Sequence, residues 1–360
     1  MSKPDSIDDL LTAEERETLK SLPLKHGVRH PTWFPVFHAN KSARDRETNA
    51  AVRRIASAGN AIWLQQAKAD LVKWDTPSAA SSVLAEMRAY GELLNAGLKV
   101  TPVPRGKGSK PPATPDFEID AGDGTVVLEV FAKHADQESA QIAPSERLNF
   151  ARRDGVSLTM EVYEVAPGGA PDPTKPHDSV QANLVSRICG AKSSEHQWSD
   201  AKPAVLWIDL RSFGDFPEIV SAEQAEPVMA GREGLTSGAL WHAFYGWKGA
   251  PIFEEDFFPQ DRVVPMGHDG RFRMQGAKKS KLAACVLRLA EATIVFENPQ
   301  AAVPLPGKAR RHFLNLPRFD LGRSICEWDN GHAATQIELG ARQIRSLAAW
   351  REKLCADEPE

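Results

Sequence analysis

The chain is predicted to be an α/β protein, and three stretches carry that prediction. Ser81 to Gly97 has the apolar spacing of an amphipathic helix. Thr114 to Lys133 reads as a tight β-hairpin, with turn residues Asp120-Ala121-Gly122-Asp123-Gly124 between two short strands. Ala204 to Leu210 (AVLWIDL) is a continuous apolar run of the kind found in strands covered on both faces.

Other elements follow from local signals. Thr12 with Glu15 forms a capping box for a short acidic helix that Pro23 ends. Lys41 to Trp74 reads as a long helix or a helix pair, with Ile55, Ile62, Leu64 and Leu71 as core contacts. A polar stretch after Lys133 gives way to a strand over Ser157 to Val165. A Pro- and Gly-rich loop then leads to a helix over Ser179 to Lys192. Further on, Glu218 to Met229 and Gly238 to Gly246 read as helices. Leu282 to Leu287 and Thr293 to Glu297 read as strands, and Thr335 to Leu354 as a closing amphipathic helix. These divide into an N-terminal helical region (1–76), a core (77–212) and a C-terminal α+β extension (213–360) that completes the same globule.

Composition excludes several classes. With 360 residues and 42% hydrophobic content the chain buries one large core or two modest ones. No apolar run is long enough to span a membrane, and the start, MSKPDSIDDLL, lacks a signal-peptide core. Cys189, Cys285, Cys326 and Cys355 have no paired spacing, so neither a zinc site nor a disulfide framework is indicated; a reducing cytoplasm is expected. The net charge of −4 argues against a uniformly basic nucleic-acid binder, although only a contacting surface needs to be positive.

Three acids stand out in this setting. At 100° per residue Val83, Met87, Tyr90, Leu93, Leu94 and Gly97 share one helix face, and Glu86 falls among them. Glu92 points the other way, four residues after Arg88, as a solvent-face pair. A carboxylate on an apolar stripe needs a metal, a partner charge or hydrogen bonds, or else it sits at the rim and reaches outward. Asp116 follows Pro115 at the entrance to the hairpin. In the second strand, two-residue alternation puts Val127, Glu129, Phe131 and Lys133 on one face and Val126, Leu128, Val130 and Ala132 on the other. Helix, hairpin and three carboxylates suit a hard divalent cation, which needs few protein oxygens and serves phosphodiester hydrolysis.

This segment resembles the PD-(D/E)XK nuclease superfamily. The matching residues are Glu86 on the helix, Pro115-Asp116 at the second strand, and Glu129-Val130-Phe131 where the family has acid-any-lysine, over roughly residues 80 to 210. The resemblance implies a restriction-endonuclease-like core, a mixed central sheet flanked by helices. It implies Mg²⁺ or Mn²⁺ held by Asp116, Glu129 and the carbonyl of Val130, with Glu86 binding directly or through water. The implied activity is nucleic-acid hydrolysis, foremost of DNA, in a prokaryotic defence or restriction-like system. Phe131 departs from the pattern by replacing the lysine. Lys133, one pleat on and about 7 Å along the same face, or Lys192 on the following helix would take the role. If neither reaches the site, the chain is a non-catalytic binding module; an unrelated hydrolase of small phosphoesters would instead need a closed pocket.

Nucleic-acid contacts are expected from the loop carrying Arg105, Lys107 and Lys110, and from Lys192 and Gln197. The clusters Arg271 to Lys281 and Lys308 to Arg318 read as solvated loops. Trp241, His242, Phe244, Tyr245 and Trp247 read as a core under the loops rather than a base-stacking surface. The N-terminal helices pack on the core or mediate oligomerisation, as a homodimer or with a partner protein.

Overall fold

The computed structural model describes residues 3–24, 29–38, 42–104, 114–132, 144–151, 157–163, 201–211, 221–231, 234–253, 263–273, 280–324 and 330–356. Helices α1 (Ala13–Ser21), α2 (Trp33–Phe37), α3 (Ala43–Ser57), α4 (Ala61–Leu71) and α5 (Pro77–Asn95) come first. Strands β1 (Lys99–Pro102), β2 (Phe117–Asp120), β3 (Thr125–Ala132), β4 (Pro144–Ala151), β5 (Ser157–Tyr163) and β6 (Ala204–Asp209) follow. Next are β7 (Val228–Gly231), β8 (Gly234–Ser237), α6 (Ala239–Tyr245), β9 (Pro251–Phe253) and β10 (Val263–Pro265). The chain closes with β11 (Leu282–Arg288), β12 (Thr293–Glu297), α7 (Gly307–Phe313) and α8 (Asn330–Ala356). No helix among the described residues is long and apolar enough to cross a membrane.

Six strands form one mixed sheet in the order β1-β2-β3-β6-β11-β12. The first three make an antiparallel meander, β3, β6 and β11 run parallel, and β12 returns antiparallel. Residues beyond 212 therefore supply two strands of the same sheet.

Side-chain alternation makes two cores. Val126, Leu128 and Val130 of β3 join Phe117, Ile119, Val205 and Trp207 under α3, α4, α5 and α7. Val127 and Phe131 join Leu206, Ile208, Cys285 and Phe296 under α6 and α8. The expected parity of β3 is thus observed, and the architecture is helix–sheet–helix. Trp241, Phe244 and Tyr245 are buried in the second core, as expected, while Trp247 packs at its edge.

Local chemistry explains the elements. The Thr12 hydroxyl accepts from Glu15 N–H at 3.2 Å and the Glu15 carboxylate accepts from Thr12 N–H at 2.7 Å, the reciprocal capping box of α1. Helix α5 ends in a Schellman motif: Leu98 N–H donates to Leu93 O and Gly97 N–H to Leu94 O, both 3.1 Å, with Gly97 at φ 85°.

Four expectations differ. Within Lys41 to Trp74, which forms the helix pair α3–α4 as one of the two expected readings, Ile62 is 77% exposed rather than a core contact. The predicted helix at Glu218 to Met229 is, where described, a 3-10 turn (Ala222–Ala225) followed by β7. Strand β4 occupies part of the stretch read only as polar. Arg271 turns inward and is buried. The predicted helix at 179–192 lies outside the described residues.

Gly91 sits where α5 crosses α3, and a Cβ there would fall well inside contact distance of the Ala51 Cβ and Cα. Although alanine favours helix by about 1 kcal/mol over glycine, Gly91→Ala should lose about 1–3 kcal/mol through overpacking, read in chemical denaturation.

His242 is fully buried, with Nδ1 2.9 Å from the Gly238 carbonyl. Burial lowers its pKa to about 4 from 6.5, against the raising effect of that hydrogen bond. The unfolded chain therefore takes up the proton first: stability is full above pH 6.5 and falls as the pH drops towards 4. The loss should reach about 3 kcal/mol at most, and His242→Gln should flatten that part of the stability–pH curve.

Candidate functional site

The β2–β3 hairpin is held at both ends. At its turn Gly122, at φ 77°, receives the Asp120 side chain on its N–H at 2.8 Å. Lys308 donates from its backbone to Asp123 (2.8 Å) and from Nζ to the Gly122 carbonyl (3.1 Å), pinning the turn to α7. At the open end Asp116 N–H donates to Leu128 O at 3.0 Å, and Val103 N–H donates to Asp116 O at 2.9 Å. The Asp116 carboxylate accepts from Val130 N–H at 2.8 Å. Asp116 therefore bonds to the residues on either side of Glu129. A backbone donor fixes the carboxylate's orientation.

Glu86 belongs to the preceding helix. It is 8% exposed on α5, and that helix covers the sheet face of Val126, Leu128 and Val130. Glu129 has the opposite parity, with Val127 and Phe131. Among the described residues no group of three or more His, Cys, Asp or Glu side chains could hold a metal ion. Asp116, which precedes Phe117 opposite Leu128, and Glu129 are the pair that the hairpin brings together.

Phe131, in the position of the expected lysine, pairs with Ile208 and packs on the second core. Lys133, Lys192, Gln197, Arg105, Lys107 and Lys110 lie outside the described residues. A lysine that sequence reading missed is on this face. Lys202, just before β6, places Nζ 2.7 Å from Glu118 Oε1, and Glu118 stands opposite Val127, two residues along β2 from Asp116. Its only signal in sequence was a position before an apolar strand.

Further along the carboxyl ends of the parallel strands lies a buried ionic cluster. The register aligns Ala132 of β3, Asp209 of β6 and Arg288 of β11 in one row. Arg211 grips Asp209 with both ends of its guanidinium, Nε to Oδ1 at 3.0 Å and Nη2 to Oδ2 at 2.8 Å. Arg88 adds Nε to the same Oδ2 at 2.9 Å and Nη1 to Thr48 Oγ1 at 3.4 Å. Arg211 Nη1 also pairs with Glu92 and, at 2.8 Å, with Glu47. Arg288 reaches Glu92 at 3.1 Å and Glu47 at 3.2 Å, and its Nη1 donates to the carbonyls of Leu289 (2.7 Å) and Ala292 (3.3 Å) in the β11–β12 turn.

Arg88 and Glu92, each 2% exposed, are therefore not a solvent-face pair. Helix α3 covers the side of α5 that periodicity assigned to water, so both charges are inside and each finds a partner on a strand end. Burial alone would raise the Asp209 carboxyl, but Arg211 and Arg88 outweigh it and hold it well below the usual carboxylate range. Burial lowers Arg88 and Arg288, while Asp209 and Glu92 outweigh it at Arg211 and raise that group. All three guanidiniums stay protonated.

No family model, no curated protein and no solved structure matches this chain.

Asp209→Asn keeps the shape of the side chain but leaves Arg88 and Arg211 without their shared charge. Such a broken buried pair costs about 3–5 kcal/mol. Urea denaturation should show a loss of this size, well above that of Asp70→Asn in the partly exposed Asp70–Lys73 pair.

Proposed function

We propose that the chain is a metal-dependent nuclease with a restriction-endonuclease-like core, acting on DNA as an endonuclease of a prokaryotic defence or restriction-like system. The observation that carries this reading is the Asp116 carboxylate fixed on Val130 N–H at 2.8 Å beside Glu129. The order helix, antiparallel meander, parallel strand (α5, β1-β2-β3, β6) supports it.

The donor chemistry fits a hard cation. Asp116, Glu129 and the Val130 carbonyl are oxygen donors, and Mg²⁺ uses one or two carboxylates together with water and substrate phosphate. The bound ion supplies Lewis-acid polarisation of the phosphate and lowers the pKa of water. The protein's own groups do the rest. Val130 N–H orients Asp116 in advance, which removes reorganisation at the moment of reaction. Lys202 brings a cation to the same sheet face, where it offsets negative charge on the phosphodiester. Phe131 excludes water from the strand's inner side without taking part in proton transfer.

A second reading, a nuclease-like module that binds nucleic acid without cutting, is favoured by one observation: the position of the pattern's lysine is filled by Phe131, which packs against the second core.

With Mg²⁺ or Mn²⁺ the protein should nick supercoiled plasmid. Asp116→Asn and Glu129→Gln should each reduce the rate at least ~100-fold, the scale of one positioned catalytic group, with thermal unfolding little changed. Wild-type turnover unaffected by both substitutions would overturn the nuclease reading. Specific DNA binding without any metal-dependent turnover would establish the binding module instead.

A further inference from the structure

Helix α2 carries a feature that the candidate site does not use. Trp33-Phe34-Pro35-Val36-Phe37-His38 puts four rings into six residues. Pro35 is buried and Val36 packs on the first core, which turns the rings away from it. The segment is firmly seated: Thr32 Oγ1 donates to Leu71 O at 2.9 Å and Asn49 Nδ2 to Pro35 O at 3.0 Å. Trp33 is the hub, with ring centroids 5.6 Å from Phe34, 5.4 Å from Phe37 and 4.6 Å from His38. Phe37 is 38% exposed and the other three rings are half-buried.

Two arginines complete the patch. Arg29 lies over Trp33 at 4.8 Å and Arg44 over Phe34 at 5.5 Å. Arg44 also donates to the Arg211 carbonyl at 3.5 Å, which places the patch beside the carboxyl end of β6. Glu129 aligns with Leu206 on that strand, three residues before Asp209. At about 3.3 Å per residue and about 4.8 Å between strands, Glu129 and Asp209 are roughly 11 Å apart. The patch belongs to the helix layer that covers the Val126, Leu128 and Val130 face.

We infer that this patch is a docking platform for single-stranded nucleic acid. The inference rests on the nuclease reading for its substrate class. Partly exposed rings accept base stacking without sequence preference, and Arg29, held over Trp33, meets an adjoining phosphate, while Arg44 also pairs with Asp45 at 3.2 Å. A duplex hides its base faces in its own stack, so unpaired strand is the form that this surface recognises. The chain's net negative charge does not oppose this, because the cations are local to the rings.

The test uses the full chain in EDTA and fluorescence anisotropy of a labelled oligo(dT), with a blunt duplex of equal length as the comparison. Wild type should prefer oligo(dT). Phe37→Ala and Trp33→Ala should each weaken that binding about 5- to 150-fold, the range for loss of one stacking ring, while Trp33→Phe retains it. Arg29→Gln should lower the slope of log affinity against log salt by about one. Phe37 is the most exposed ring, so its variant tests the idea even if Trp33→Ala unfolds. Unchanged oligo(dT) affinity in Phe37→Ala overturns the platform. So does wild type that ignores oligo(dT) yet self-associates through Phe37 in sedimentation, which would assign the patch to a second copy. The two readings fail separately: ring-dependent binding without metal-dependent cleavage keeps the platform and removes the nuclease. Cleavage that needs Asp116 without ring-dependent binding does the reverse.

Discussion

Arg88, Arg211 and Arg288 meet Glu47, Glu92 and Asp209 where β6 and β11 end, and the placing of α3 and α5 against the sheet depends on that meeting. Three positive and three negative groups balance, so the interior carries no net charge there. Each element contributes a charge it cannot leave unpaired: α5 brings Arg88 and Glu92, α3 brings Glu47, β6 leads to Asp209 and Arg211, and β11 ends at Arg288. Taking such groups out of water costs several kcal/mol per ion, and the pairing returns that energy only in good geometry. The cluster is therefore better understood as fixing the register of helices on strands than as a source of net stability.

That constraint bears on the candidate site. A helix pinned through Arg88 and Glu92 cannot slide along the sheet, and neither can the meander that follows directly from its glycine-terminated end. The position of Asp116 beside Glu129 is the downstream result: α5 sets β1, β1 pairs with β2, and β2 delivers Asp116 to Val130 N–H. In an open α/β sheet, ligand sites lie outside the carboxyl ends of the strands. Here that end holds the ionic cluster, with the aromatic patch beside it through Arg44 and the Arg211 carbonyl.

What the sequence disclosed follows the reach of local rules. Alternation along Thr125 to Ala132, the hairpin turn, the capping box and the buried strand at Ala204 depend on neighbours within a few residues, and each is found in the structure. The role of Glu92 depended on α3 lying over α5, a contact about 40 residues away in sequence, and a periodicity argument that assumes a wet outer face misreads it. Ile62 fails for the reverse reason, since an apolar residue in a helix need not face inward. The convergence of Glu86 with Asp116 and Glu129 was a judgement about three dimensions made from one-dimensional spacing. The parity of β3, which puts Glu129 on the face of Val127 and Phe131, was already legible. The missing information was which face α5 covers. Asp209 and Arg288 did leave a trace: a charge closing an otherwise apolar strand must have a partner.

Phe131 gives the sharpest constraint on mechanism. Its neighbour across the ladder is Ile208, and its ring, partly buried, packs against the second core where the pattern has a lysine. The cation therefore has to arrive from another segment, and among the described residues Lys202 stands on the same face through Glu118. That pair is exposed on both sides, so it is weak, and a phosphate can draw Lys202 away from Glu118 at little cost. An ammonium held loosely by a carboxylate neighbour is available to a substrate in a way that the locked guanidiniums of Arg88, Arg211 and Arg288 are not. The locked cluster lies at the carboxyl end of β6 and Lys202 before its amino end, so one set of charges is committed to the fold and the other responds to a ligand.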